Sequence, residues 1–316
     1  MKLVRSTLVL MILAALLLAA CAPVATPSAA PSEPPPTQTQ PPLPEPTATE
    51  PLPEPTVEQP PAYPADPVTV SFQASDGQEL SGTFLPAAVA DAPVVVLMHQ
   101  INMNGPYEWE VIADWLQNRG RLKEAYNNPK NESFRDPAWF PAMPADMPLA
   151  VFYFTFRGCD TSRGCTDIDM AGWQLDAVAA VQTAVAQPGI DPAKIITIGT
   201  SIGADGAVDG CGLAPNMGAL EQPCLGVMPV SPGSYLELEY PAFAKMLLQG
   251  GTQQITCVAP EKEATQEDGC LSFEGEGYLT EIVPNGEHGI YLANPAVSPD
   301  LLTIMLTFLG DVLGEG

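Results

Sequence analysis

The chain has 316 residues, 46% of them hydrophobic and 16% charged, which is enough apolar material for one large or two modest domains and too much for a wholly disordered chain. Its 37 Asp and Glu outnumber 12 Lys and Arg, for a net charge of -25. That balance argues against a nucleic-acid partner, because phosphate binding needs clustered cations, and against docking on an anionic bilayer through surface charge.

Residues 1–20 read as an export signal, with Lys2 and Arg5 ahead of an apolar run from Leu8 to Ala20. The run is about 13 residues, short of the roughly 20 needed to span hydrocarbon. Leu18-Ala19-Ala20-Cys21 resembles the lipobox of bacterial lipoproteins. The resemblance implies cleavage before Cys21, a diacylglyceryl group on its thiol, and a membrane partner reached through that lipid anchor, at the cell surface or in the periplasm. Residues 21–66 then form the lipidated Cys and a linker. Positions 22–66 hold 16 of the 36 prolines and no Lys or Arg, so this segment cannot bury a core and reads as an extended stalk.

From residue 67 onward the pattern is that of a folded domain, 67–316. Val68 to Phe72 and Glu79 to Leu85, joined through Asp76-Gly77, read as a hairpin. Buried-type strands are expected over Pro93 to Met98, Leu149 to Phe154, Lys194 to Ile198, Cys224 to Val230, Gln254 to Ala259 and Tyr278 to Val283. Between them come helical patterns near Glu108 to Leu116, Ala171 to Ala186, Ile202 to Val208, Pro241 to Leu248 and Asp300 to Leu313. The alternation predicts an α/β fold, a mostly parallel sheet with helices on both faces, with the functional groups at the carboxyl ends of the strands. Residues 117–147 do not fit the repeat: Arg119, Arg121, Lys123, Lys130 and Arg135 mix with Tyr126, Phe134, Trp139 and Phe140 without period. They read as an insertion, either a surface excursion or a lid over a site.

The chemistry is concentrated at Ile195 to Gly203, where an apolar strand ends in Gly199-Thr200-Ser201-Ile202-Gly203 and leads into a helix. This G-x-S-x-G stands in the strand, elbow, helix context that presents a serine as a nucleophile. A serine hydroxyl needs a base, and the chain has two histidines. His288, just after the last strand, follows the order nucleophile, acid, base; His99, at the end of a strand, is expected to tie down the loop after it. The acid is expected in the loop after Val258-Ala259, where Glu261, Glu263, Glu267 and Asp268 are available and Glu263 is favoured. Asp205 and Asp209, on the helix after the elbow, are either solvated or shape the pocket.

Residues 67–316 resemble the α/β-hydrolase superfamily, in its dienelactone hydrolase-like and esterase branch. The resemblance rests on the Asp76-Gly77 hairpin, the Leu97-Met98-His99-Gln100 loop, Phe156-Arg157-Gly158, the elbow, Ser231-Pro232-Gly233 and Glu287-His288-Gly289. It implies an oxyanion hole from the amides of Ile202 and Ile101, a Ser201, His288, Glu263 triad, and a small-molecule ester or peptide substrate. A peptidase of the prolyl oligopeptidase type shares these elements, and a binding lipoprotein on the same scaffold is the alternative from another class. The chain departs from the family at Gln100, where the loop usually has Gly, and at Thr155, where an Asp often precedes Arg-Gly. It has Ser where dienelactone hydrolases proper use Cys, and its acid would be Glu in place of Asp.

Six cysteines remain beside Cys21, and their clustering predicts disulfides Cys159 with Cys165, Cys211 with Cys224, and Cys257 with Cys270. Two histidines and no C-x-x-C pair make a metal site a weak rival. No cofactor is expected.

Overall fold

Val94, Val96 and Met98 alternate with Val95 and Leu97 along one strand, and all five are 0% exposed. A strand that is apolar on both sides has to be covered on both. The structure, a computed structural model, describes residues 65–118, 139–159, 164–215, 220 and 223–314. The signal segment, Cys21 and the proline-rich stretch through residue 64 lie outside the described residues, as do 119–138 of the expected insertion.

Eight strands form one sheet: β1 (Val68–Gln73), β2 (Glu79–Leu85), β3 (Ala92–Met98), β4 (Ala150–Phe154), β5 (Ile190–Thr200), β6 (Gly226–Val230), β7 (Gln254–Pro260) and β8 (Tyr278–Val283). Their order is β1-β2-β4-β3-β5-β6-β7-β8. The β1–β2 and β2–β4 pairs are antiparallel and all the others parallel. The hairpin turns at Gly77, whose φ of +92° suits a residue without a Cβ. Among the described residues five α-helices follow the strands: α1 (Gly105–Leu116), α2 (Met170–Val185), α3 (Ile202–Leu213), α4 (Tyr240–Gly250) and α5 (Leu301–Leu313).

The alternation along β3 sorts the helices into two layers. Val94, Val96 and Met98 join one core with Trp173 and Ala177 of α2, Ala207 and Val208 of α3, and Tyr240 and Ala244 of α4. Val95 and Leu97 join the other with Trp109 and Ile112 of α1 and Met305 and Phe308 of α5. Helix starts are written locally: Asn104 accepts from the Tyr107 N–H (2.9 Å) with Pro106 in the first turn of α1, and Asp300 accepts from Leu302 and Thr303 (3.0 and 3.1 Å) at α5.

Within the irregular 117–147 stretch, Gln117 Nε2 donates to the carbonyls of Leu85, Pro86 and Leu149, and Phe140, Met143 and Met147 are buried against Trp115 and its neighbours. Trp115 Nε1 donates to the Pro141 carbonyl (2.6 Å). Trp139, Phe140, Met143 and Met147 carry no period because they pack on α1 from outside any α-helix or strand. Arg157, after β4, bridges the hairpin to α2 through Asp76 (2.5 Å), Asp176 (2.7 Å) and Asp169 (3.3 Å). All three expected disulfides are formed: Cys159–Cys165, Cys211–Cys224 and Cys257–Cys270. Among the described residues no helix is long and apolar enough to cross a membrane.

Candidate active site

In a parallel sheet the strands end together, so the loops after β3, β5, β6, β7 and β8 meet at one edge. Ser201 stands at the end of β5 as the residue before α3, 4% exposed, with φ +53° and ψ -119°. That conformation is costly for a residue with a Cβ, on the order of 1–3 kcal/mol, and persists only where the surroundings fix it. They do so from both sides: the Ser201 N–H donates to the Val230 carbonyl (2.8 Å), extending the β5–β6 ladder, and the Ser201 carbonyl accepts from Ala204 (2.8 Å), starting the helix. The flanking glycines are required by close approach. A Cβ on Gly199 would lie 1.8 Å from the Gly203 carbonyl oxygen, and one on Gly203 would lie 2.2 Å from that of Met98. Ile202 is the first residue of α3, where an amide has no intrahelical acceptor.

His288 precedes a 3-10 turn over Gly289–Ala293, beyond β8. Its Nδ1 is hydrogen-bonded to Glu263 Oε2 at 2.7 Å, with both side chains about a third exposed (34% and 39%). With Nδ1 as donor, Nε2 is the nitrogen that can accept a proton. Of the four carboxylates in this loop, Glu263 is the one paired with the imidazole; Asp268 accepts from Thr265 Oγ1 (2.7 Å), and Glu261 and Glu267 are exposed. Among the described residues Ser201 and His288 are not hydrogen-bonded to each other, but their neighbours meet: a Cβ built on Gly289 would be 3.6 Å from Thr200 Cβ.

His99 is fully buried and ties down its loop. Its Nε2 accepts the Phe156 N–H (3.0 Å), which leaves Nδ1 to donate to the Gln100 carbonyl (2.8 Å), and burial lowers its pKa to about 4. The turn that follows, Gln100 to Met103, carries Ile101, which is partly buried. Asp205 and Asp209 are both 2% exposed. Asp205 accepts backbone N–H bonds from Gly233 and Tyr235, holding the loop after β6, and Asp209 accepts from Gln174 (2.7 Å). Burial pushes both carboxyls up to about 7, against these hydrogen bonds.

Glu108 escapes a reading of the sequence, and Gln100 and Ser231, named there only within motifs, take specific roles. Glu108 of α1 is 3% exposed and bonds Thr200 Oγ1 and the Gln100 N–H. The Gln100 side chain accepts the Ile290 N–H (3.1 Å), and Ser231 Oγ accepts that of Gly289 (3.0 Å), so the loop bearing His288 is held at two successive residues. A signal for Glu108 does exist: it shares a helical stripe with Val111, Ile112 and Trp115, where a carboxylate is out of place.

Among the described residues no group of three or more His, Cys, Asp or Glu could hold a metal ion. A cleft of about 610 Å³ lies beside β1, β2 and β4, lined by Glu79, Thr83, Asn104, Tyr153 and Arg157 among others, away from Ser201 and His288.

No protein-family model matches the chain, and no curated protein does. Solved structures do. An alpha/beta hydrolase, GrgF, from Penicillium sp. sh18 superposes with a TM-score of 0.53 at 14% identity, covering 79% of this chain and 100% of its own. A dienelactone hydrolase from Anabaena variabilis ATCC 29413 gives 0.50 at 13% identity, covering 80% of this chain and 99% of its own. The chain has an α/β-hydrolase fold. In this α/β hydrolase-fold protein the elbow at Ser201 and the loops after β7 and β8 fall at the edge where such a sheet gathers its functional groups.

Proposed function

We propose that residues 67–316 are a serine hydrolase acting on carboxylic esters through an acyl-enzyme. The observation that carries this reading is Ser201, held at positive φ in the elbow, beside a loop on which His288 is paired with Glu263 at 2.7 Å. Likeness of fold to a dienelactone hydrolase supports the same reaction class.

In this reading Ser201 Oγ attacks the acyl carbon while His288 Nε2 takes the hydroxyl proton, and Glu263 holds the imidazole in the required tautomer. The oxyanion faces the amides of Ile202 and Ile101, each donor worth about 3–4 kcal/mol of barrier. Collapse breaks the ester bond, the leaving alkoxide takes the proton from His288, and the acyl group stays on Ser201. Water, giving its proton to His288, then attacks the acyl carbon; the carboxylic acid departs and the proton returns to Ser201 Oγ.

Export and lipid anchoring at Cys21 complete the proposal. Three disulfides support an oxidising compartment, extracellular or periplasmic, and the lipobox-like Leu18-Ala19-Ala20-Cys21 supports the anchor. The test is hydrolysis of p-nitrophenyl acetate: wild type turns over and Ser201→Ala falls by a factor on the order of 10³ or more. Cleavage of peptides in place of esters would move the reading to a prolyl oligopeptidase type. Ligand retention without turnover, unchanged in Ser201→Ala, would move it to a binding lipoprotein.

A further inference from the structure

α1 begins directly under the candidate site. The Gly105 N–H donates to Thr155 Oγ1 after β4 (3.1 Å), and a Cβ at Gly105 would stand 2.2 Å from the Phe154 carbonyl oxygen, so the first turn of the helix is wedged against the strand ends. Glu108 in that turn reaches between two loops. One carboxyl oxygen is hydrogen-bonded to Thr200 Oγ1, on the residue before Ser201, and the other accepts the N–H of Gln100 (3.0 Å), the residue before Ile101. All three residues are buried, and the Gln100 side chain continues the chain of bonds to Ile290, two residues beyond His288.

Resting on the reading of Ser201 as the nucleophile, we infer that Glu108 is a positioning residue, whose carboxyl sets the distance from the nucleophile's strand to the oxyanion loop and, through Gln100, to the loop of the base. Three strands of the sheet supply these three loops, and the β3–β5 ladder ends at the Met98–Gly199 pair, beyond which the Gly203 backbone packs on the Met98 and His99 carbonyls. Glu108 adds a side-chain link between Thr200, the first residue past that ladder on β5, and Gln100, the second past it on β3. The groups facing the carboxyl are a hydroxyl and an amide, and burial keeps it neutral near pH 7, pushed up to about 8, against both hydrogen bonds. Thr200 Oγ1 and the Gln100 N–H both donate to the carboxyl; a glutamine keeps the side-chain length and one acceptor, and its Nε2 can donate to a rotated Thr200 hydroxyl, whereas an alanine keeps neither link.

The experiment is the rate at which a fluorophosphonate labels Ser201 in wild type, Glu108→Gln, Glu108→Ala and Thr200→Val, followed by intact mass. Circular dichroism and thermal melts establish that each variant is folded. Misplacing reacting groups by about 1 Å costs up to about 10²-fold, so Glu108→Ala is expected to slow the maximal labelling rate by one to two orders of magnitude, with the half-saturating probe concentration within about twofold of wild type. Thr200→Val, which cuts the same link from the other side without touching α1, is expected to show the same defect, and Glu108→Gln to restore most of the rate. Folded Glu108→Ala or Thr200→Val labelled at the wild-type rate would overturn the inference and leave the serine hydrolase reading standing, as would Glu108→Gln as slow as Glu108→Ala. Wild type that is folded and unlabelled would overturn both.

Discussion

At the scale of single residues, the site is governed by how little room surrounds Ser201. The elbow brings the Gly203 backbone against the carbonyls of Met98 and His99, at 2.2 and 2.7 Å from where a Cβ would be. Gly203→Ala is therefore expected to force the loop after β3 away, lowering stability by about 1–3 kcal/mol in urea unfolding and abolishing reaction at Ser201. Ser201, the two glycines and the apolar strand before them were legible in the sequence because the constraint that selects them is contained in five consecutive residues. Glu108 was not, because its reason lies in Thr200 and Gln100, 92 and 8 positions away. By itself a glutamate in the first turn of a helix reads as a solvated group favoured by the helix dipole. Gln100 and Thr155, two of the four departures from the pattern the sequence resembles, are contacts of the same region: one bonds Glu108 and Ile290, the other the first N–H of α1.

At the scale of elements, the loop between β7 and β8 shows how the candidate acid is held. Cys257 sits within β7 and Cys270 lies buried beyond Glu263, so their disulfide closes the loop that carries the carboxylate. Two tyrosines seal the base of this loop: Tyr278 Oη donates to the Cys270 carbonyl (3.1 Å) and is hydrogen-bonded to Tyr240 Oη of α4 (2.9 Å). Replacing both cysteines, Cys257→Ser with Cys270→Ser, is expected to lower stability by about 2–4 kcal/mol in a denaturant titration and to reduce activity beyond what the remaining folded fraction explains. The alternation of strands and helices was readable from apolar periods, and the cysteine pairs from their short separations. The placing of β4 between β2 and β3 depended on pairing between distant segments that no local pattern records, while Glu263, favoured among the four carboxylates of its loop, is the one that pairs with His288.

At the scale of the molecule, the net charge of -25 and the buried carboxyls act in one direction with pH. Glu108, held near 8, and Asp205 and Asp209, held near 7, all bind protons more tightly in the folded chain than in the unfolded one. Their contribution is fully present below about pH 4 and is lost as the pH rises through 7 to 8. His99, lowered to about 4 by burial, works the other way: the unfolded chain takes up its proton first, so its contribution is lost as the pH falls from about 6.5 to 4. Three carboxyls outweigh one imidazole, and self-repulsion falls as acids are neutralised. Thermal melts should thus place maximum stability near pH 4, declining toward pH 8, and Asp209→Asn should flatten that decline; a maximum at pH 8 would contradict the burial described for these groups. Whether Ser201 is an activated nucleophile is decided by intact mass after treatment with a fluorophosphonate. The prediction is a single adduct on the wild-type chain, mapping to the peptide that contains Ser201, and none on Ser201→Ala. An adduct of equal yield on both proteins, or none on folded wild type, would contradict it.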